Sequence, residues 1–347
     1  MKRKALAIFM VLAIVIGSLS GCNKPSDANA SEAAISPTAS EEKIIIKLGH
    51  VEPEDRSTHK ATLEFKKYVE EQSGGKISVE IYPNGQLGGD RQMLESVALG
   101  TIQMTIPSTS VLTTYDPKFG ILDMPFIFND VDTCFKALDG DVGQTLDVIL
   151  PTVGMKNFGY SYNGARSMSN NLRPINSPED LVGIKMRVME SPVFIDLFKH
   201  LGANPTPMSF GEVFTALQQG TVDAQENSPS LVYSMKFNEV QKYYSLTNHV
   251  QGILANVIND KFFASLPADQ QKIVQEGAVK FLVQKQRQLE IDDTEMFLQK
   301  LVDSGMIINE IKPENHQKFV DALKPMYEKY SKEIGQEMFD MIAKHNQ

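Results

Sequence analysis

Apolar and polar positions in the first part of the chain follow a strand–helix–strand order. Residues 44–48 are mostly apolar, as in a buried strand, whereas Ile77, Val79 and Ile81 alternate with polar residues, as in a strand with one buried face. Between them, residues 57–71 have helical spacing and precede a pair of glycines that stops the helix. Repetition of this order predicts an α/β fold with mostly parallel sheets.

Later segments continue the pattern and suggest two lobes. Further strands are predicted at residues 101–106, 156–162, 184–188, 221–225 and 307–311. A helical pattern opens at Pro267 and runs to about Val302, a length of ~52 Å at about 1.5 Å per residue, enough to span two lobes. Residues 99–103 also resemble residues 219–223. The similarity arises either because both lobes contain the same helix–Gly–Thr–strand unit or by chance. Chance is an alternative because a glycine after a helix is common.

Three side chains at predicted strand ends indicate a binding site. Arg187 lies on a predicted strand whose other face is apolar, Arg166 follows a strand and a glycine turn, and Asn227 follows a strand. Ligands of open α/β sheets bind beyond the carboxyl ends of the strands, and a guanidinium fork matches a carboxylate. We therefore expect a small organic acid to bind here, with Phe210 covering it. The alternatives are a solvated Arg187 and a core Phe210.

The N-terminus has the features of a targeting segment. Three basic residues precede an apolar run at residues 5–16 that is short for a bilayer span, and residues 19–22 read Leu-Ser-Gly-Cys. This order predicts a bacterial lipoprotein signal over residues 1–21 and lipid attachment to Cys22. The alternative is an ordinary secretory peptide with an incidental cysteine. Residues 23–42 are polar and poor in bulky apolar residues, which predicts a flexible tether.

Charge and motif content exclude several functions. The net charge is −9, or −12 without residues 1–21, whereas nucleic-acid binding requires a basic surface. Because the whole chain is acidic, any site that binds an anion must depend on local positive charge. Metalloprotease, P-loop, nucleophile-elbow and dinucleotide motifs are absent, and nothing indicates a cofactor or a metal site. If Cys22 is lipidated, Cys134 has no partner, and we expect it to be a buried structural thiol.

Five motifs carry a resemblance to one family. In chain order they are YPNGQLGGDR (residues 82–91), YNGAR (162–166), GIKMRV (183–188), GANPTPM (202–208) and DAQEN (223–227). Over residues 43–340 the chain resembles the solute-binding component of tripartite ATP-independent periplasmic (TRAP) transporters, the DctP family. The resemblance implies partner membrane subunits, one small and one large. The role is capture of a solute outside the cytoplasm, without bond chemistry.

The resemblance also implies an architecture and a site. It implies a periplasmic-binding-protein-like fold of two α/β lobes joined by hinge strands, with a long helix crossing both. Residues 43–163 and 253–292 would form lobe I, and residues 164–252 and 293–347 would form lobe II. Arg187 matches the arginine that pairs with the substrate carboxylate, and Arg166 matches a second arginine that supports it. The remaining matched positions of the cleft are Asn227, Phe210 and Asp90.

Departures from the sialate-binding members concern the ligand. A glutamate and an arginine of those members are replaced here by Ser108 and Val111, which argues against sialate. Glu190, three residues after Arg187, can accept hydrogen bonds from hydroxyl groups. The other polar candidates are Ser108, Thr109, Glu52 and His50. We therefore expect a hydroxylated monocarboxylate such as a uronate or an aldonate.

Three alternatives remain open at this point. A C4-dicarboxylate would call for a second cation, which the sequence does not place. An extracellular enzyme acting on sugar acids would need an acid–base pair, for which Glu52 and Glu190 are the only candidates. The chain could also serve a sensor instead of a transporter.

Overall fold

A nine-stranded mixed sheet organises the protein in the computed structural model, which describes residues 43–347. The predicted signal segment, Cys22 and the tether lie outside the described residues. The strands are β1 (Ile44–Gly49), β2 (Ile77–Tyr82), β3 (Met104–Thr105), β4 (Met155–Asn170), β5 (Lys185–Val188), β6 (Asn204–Pro207), β7 (Ala224–Asn227), β8 (Tyr243–Asn259) and β9 (Ile307–Glu310).

Twelve α-helices surround the sheet within the described residues. They are α1 (Ser57–Gln72), α2 (Asp90–Leu99), α3 (Val131–Asp139), α4 (Asp141–Asp147), α5 (Pro192–His200), α6 (Val213–Gln218), α7 (Pro229–Ser234), α8 (Asp260–Ser265), α9 (Ala268–Gly277), α10 (Gln286–Asp303), α11 (Pro313–Glu333) and α12 (Gln336–His345). No helix in this part of the chain combines the length and the apolar character that crossing a membrane requires.

The strand order divides the sheet into two halves that share two long strands. The order is β2-β1-β3-β8-β4-β7-β5-β6, and β9 pairs with β8. The long strands β4 and β8 are antiparallel, whereas the pairs β1–β2, β1–β3, β5–β6, β5–β7 and β8–β9 are parallel. Three register shifts interrupt the β4–β8 ladder, and such irregularities bend strands locally. This is the predicted α/β class, with long antiparallel connecting strands that the sequence pattern did not predict.

The predicted long helix is present. Helices α9 and α10 are joined by a π-helical segment, Ala278–Lys285, so that the helical path runs from Ala268 to Asp303. It contacts α1, β4 and α7. The predicted two-lobed fold with a helix spanning both lobes is confirmed.

Apolar side chains fill three clusters. One includes residues of β1, β2 and α1, and a second packs around α6 and the start of β8. The largest joins residues of α2, α3, α5, α11 and α12 to residues of β4, β5 and β8. Cys134 of α3 belongs to the largest cluster and is fully buried, as predicted. Burial raises the pKa of its thiol, which keeps it protonated and unreactive.

The first residues of α1 and α2 make hydrogen bonds to distant partners. Ser57 begins α1, and its hydroxyl donates to Glu290 at 2.5 Å. Asp90 begins α2, and its carboxylate accepts from the backbone N–H of Ser108 at 3.3 Å. Both side chains therefore tie the start of a helix to another part of the chain.

Candidate functional site

A cavity with about 600 Å³ of empty space, its open mouth included, lies where the two halves of the sheet meet. Strand ends and the turns that follow them supply most of its wall, as expected for an open α/β sheet. Eight of the nine predicted site residues line it: Glu52, Asp90, Ser108, Arg166, Arg187, Glu190, Phe210 and Asn227. The predicted clustering of these distant residues therefore has a geometric basis, whereas their contact with a ligand stays a prediction.

Arg187, on β5, is 2 % exposed and has no carboxylate within salt-bridge distance among the described residues. Its Nη2 and Nε donate to the carbonyl oxygen of Met208 at 2.9 and 3.3 Å, and its Nη1 has no hydrogen-bond partner within the described part of the chain. Burial lowers the pKa of Arg187 to about 10, against the influence of Glu226, so the guanidinium stays charged at neutral pH. A buried cation with an unpaired donor has the chemistry to bind an anion, and such binding by Arg187 stays a prediction.

Arg166, on β4, is already paired. Its Nε donates to Glu226 Oε2 at 2.6 Å, and its Nη2 donates to Glu226 Oε1 at 2.8 Å. Burial acts to raise the pKa of Glu226, but Arg166 and a contact with His249 lower it to about 2. Two donors of Arg166 are thus occupied by Glu226, and its predicted role as a second, supporting arginine stays a prediction. Among the described residues of the cavity wall, Arg187 is the arginine without a salt-bridge partner.

Three acidic side chains line the cavity together with Arg187. Burial raises the pKa of Asp90 to about 7, and its Oδ1 has no partner among the described residues. Burial also raises the pKa of Glu52, and Arg56 opposes this shift with a 3.3 Å contact. Glu190 is partly buried at the same wall. The cavity thus combines one available cation with several hydrogen-bond acceptors.

His50 does not line the cavity, contrary to the prediction. It is fully buried behind the wall, with its Nε2 3.2 Å from Nδ1 of His59. Burial and the neighbouring ring of His59 lower the pKa of His50 to about 3, so the ring is neutral. The sequence placed His50 correctly at the end of β1 but could not show which way its side chain points.

The remaining predicted residues complete the wall. Phe210 is half-buried, and its ring centroid lies 6.0 Å from the guanidinium carbon of Arg187. Asn227 donates from Nδ2 to Gln225 Oε1 at 2.6 Å. The hydroxyl of Ser108 lies 3.2 Å from that of Ser110. Phe210 lies beside the Arg187 cation, where its ring could exclude water, and its predicted covering of a ligand stays a prediction.

Two polar residues of this region, Asn163 and Arg56, were not among the predicted site residues. Asn163 lines the cavity, and Arg56 lies behind it in contact with both Glu52 and Asn163. The YNGAR motif contained Asn163 but drew attention only to its arginine. Arg56 lies in the charged run EPEDR, whose composition is typical of an exposed turn. No local signal distinguishes a buried arginine in such a run.

Comparison with known proteins agrees with the geometry. The model of the DctP family, described as "Bacterial extracellular solute-binding protein, family 7", matches residues 48–333. The chain belongs to this family. Family 7 is a family of solute-binding proteins, so the expectation of a binding protein is confirmed at that level.

Individual members of family 7 support the assignment. The chain is 34% identical over 331 residues to the C4-dicarboxylate-binding periplasmic protein DctP of Rhodobacter capsulatus, covering 93% of this chain and 95% of the relative. Among solved structures it is similar to the sugar acid binding protein of Advenella mimigardefordensis in complex with galactonate, with a TM-score of 0.85, 34% identity and coverage of 87% and 99% of the two chains. A TRAP periplasmic solute binding protein of Shewanella oneidensis with bound succinate has a TM-score of 0.85, 32% identity and coverage of 88% and 100%.

Proposed function

We propose that this protein captures a hydroxylated monocarboxylate, a uronate or an aldonate, between two closing lobes and delivers it to the membrane subunits of a TRAP transporter. The observation that carries the proposal is the buried Arg187, whose Nη1 has no partner within the described residues and which lines the cavity. A ligand carboxylate would satisfy this donor with a charge-assisted hydrogen bond. The galactonate-bound relative supports the choice of a sugar acid.

The acidic wall supports a ligand with one carboxylate. Glu52, Asp90 and Glu190 line the cavity, and Arg166 is paired with Glu226. A second ligand carboxylate would face these acceptors without a free cation, whereas hydroxyl groups can donate to them. The competing proposal is a C4-dicarboxylate, which the Rhodobacter relative and the succinate-bound structure favour. An enzymatic role for Glu52 and Glu190 has no support from the family assignment.

Lobe closure would strengthen the central contact. In an open cleft, water screens the attraction between Arg187 and a carboxylate, and closure removes that water. The ligand shifts the equilibrium only as far as it binds the closed form more tightly. The predicted lobe boundary between residues 163 and 164 is supported by a register shift in the β4–β8 ladder between Tyr162 and Ala165. At this point the two strands approach closely: a Cβ atom added to Gly252 would lie 2.8 Å from the carbonyl oxygen of Gly164.

A thermal-shift panel tests the ligand class. Uronates and aldonates are expected to raise the melting temperature, because a ligand that binds only the folded state stabilises it by about 2.7 kcal/mol at a concentration of 100 times Kd. The panel should include glucuronate, galacturonate, gluconate, galactonate, succinate and malate, at equal ionic strength. Stabilisation by succinate or malate alone would reject the sugar-acid assignment in favour of the dicarboxylate one.

We also propose that the chain is a lipoprotein anchored at the outer face of the cell membrane through Cys22. The order of basic residues, apolar run and Leu-Ser-Gly-Cys supports this. Expressed with a labelled fatty acid, the full chain should incorporate label and sediment with membranes, and Cys22→Ser should lose both properties. Label retained in Cys22→Ser would contradict the anchor, with Cys134→Ser as the matched control that leaves incorporation unchanged.

A further inference from the structure

Arg56 is a buried arginine that holds part of the cavity wall without lining the cavity itself. It lies just before α1, is 1 % exposed, and uses all three nitrogen atoms of its guanidinium. Nε donates to Glu52 Oε2 at 3.3 Å, Nη2 to Asn163 Oδ1 at 2.5 Å, and Nη1 to Glu290 Oε1 at 3.1 Å. Two of these partners, Glu52 and Asn163, line the cavity.

We propose that Arg56 is a positioning residue that presents Glu52 and Asn163 to the ligand as a paired acceptor and donor for a hydroxyl group. It thereby sets the preference for hydroxylated acids over plain carboxylates. This inference rests on the proposed function, because it concerns the part of the ligand that lies away from Arg187.

The groups that Arg56 leaves free have the chemistry of hydroxyl recognition. Oε1 of Glu52 is buried and has no hydrogen-bond partner among the described residues. The amide oxygen of Asn163 is occupied by Arg56, so its NH2 group is the donor that this side chain can offer. A hydroxyl group donates one hydrogen bond and accepts others, so it satisfies both groups. A carboxylate only accepts, so it cannot satisfy Glu52 in the ionised form that the contact with Arg56 favours.

Glu290, on α10, anchors the arginine in place. It is fully buried and accepts hydrogen bonds from Arg56, from Ser57 at 2.5 Å and from Ser230 of α7 at 2.6 Å. The guanidinium is therefore fixed to the long helix on one edge and holds Glu52 and Asn163 on the others. Because a planar fork makes these contacts in fixed directions, the point charge of a lysine cannot reproduce them.

Arg56→Lys separates positioning from carboxylate capture. Binding of D-gluconate, D-glucuronate and succinate to the purified protein would be measured by calorimetry. We expect Kd to rise at least about tenfold for the hydroxylated acid that the wild-type protein binds, and less than about threefold for succinate, since Arg187 is untouched. Equal losses for both kinds of acid would overturn the inference and leave a general structural role. Binding of none of the three acids by the wild-type protein would overturn the proposed function itself.

A second variant covers the case in which Arg56→Lys folds poorly. Asn163→Ala removes the proposed donor while leaving the contacts of Arg56 with Glu52 and Glu290. It should weaken gluconate or glucuronate binding selectively, by about tenfold. In a double-mutant cycle with Arg56→Lys, the two losses should be smaller together than their sum, because one residue acts through the other. Additive losses, or unchanged binding in Asn163→Ala, would contradict the inference.

Discussion

Replacing Arg187 with methionine is expected to weaken binding of the cognate acid by about 2–5 kcal/mol, or ~30- to 5,000-fold in Kd. The ligand carboxylate would lose the one cation of the cavity wall that has no salt-bridge partner within residues 43–347. Arg187→Lys should recover part of the loss, because a lysine keeps the charge but not the two-pronged geometry. Calorimetric titration with the acid that gives the largest thermal shift measures both variants.

The stability of the ligand-free protein provides a second test of this site. Arg187 is buried with one unpaired nitrogen, so methionine should change the free energy of unfolding by no more than about 1 kcal/mol. Lys185→Ala is the matched control, since Lys185 lies on the same strand, is half-exposed, and pairs with Asp223 away from the cavity. Two results would contradict the role of Arg187: an affinity for the acid that is unchanged within twofold in Arg187→Met, or an equal loss of affinity in Arg187→Met and Lys185→Ala.

Replacing Glu226 with glutamine should destabilise the fold by about 3–5 kcal/mol, because it leaves Arg166 buried without a counter-ion. Both residues are almost fully buried, and the guanidinium makes two short contacts with the carboxylate. Urea denaturation at pH 7 without ligand measures this loss. It also tests whether the role of Arg166 is mainly structural, because Glu226 neutralises its charge.

The control for Glu226 is Glu95→Gln. Glu95 accepts a 3.4 Å hydrogen bond from Arg91, and the side chains of Arg91 and Glu95 are 51% and 59% exposed. Because exposed ion pairs contribute little, the expected loss is below about 1 kcal/mol. Equal losses in both variants would show that burial does not decide the cost.

The loss in Glu226→Gln should also depend on pH. The Glu226 carboxylate stabilises the fold above its unfolded pKa and loses this effect as the pH falls through the folded value of about 2. The deficit of Glu226→Gln should therefore shrink as the pH is lowered from about 5 to 3.

The sequence predicted those features that depend on local pattern and residue type. The strand–helix order, the long helix and Arg187 at a strand end all follow from spacing and from the chemistry of an arginine beside an apolar face. The family resemblance then placed Asp90, Phe210 and Asn227 at one cavity, although they are far apart in the chain.

Features that depend on distant partners could not be predicted. The strand β8 has an irregular pattern because its two ends contact different neighbours, β9 at one end and β3 at the other. Arg56 and Glu290 are 234 residues apart, and neither position carries a local sign of burial. Glu226 lies within the DAQEN motif, but only the fold shows that it neutralises Arg166.

A crystal structure of the protein with the acid that stabilises it most tests the role of Arg187 most directly. We expect a carboxylate oxygen at about 2.7–2.9 Å from Nη1 of Arg187, the usual length of a charge-assisted hydrogen bond. Ligand density with its carboxylate elsewhere in the cleft, and Nη1 of Arg187 still unpaired, would contradict it.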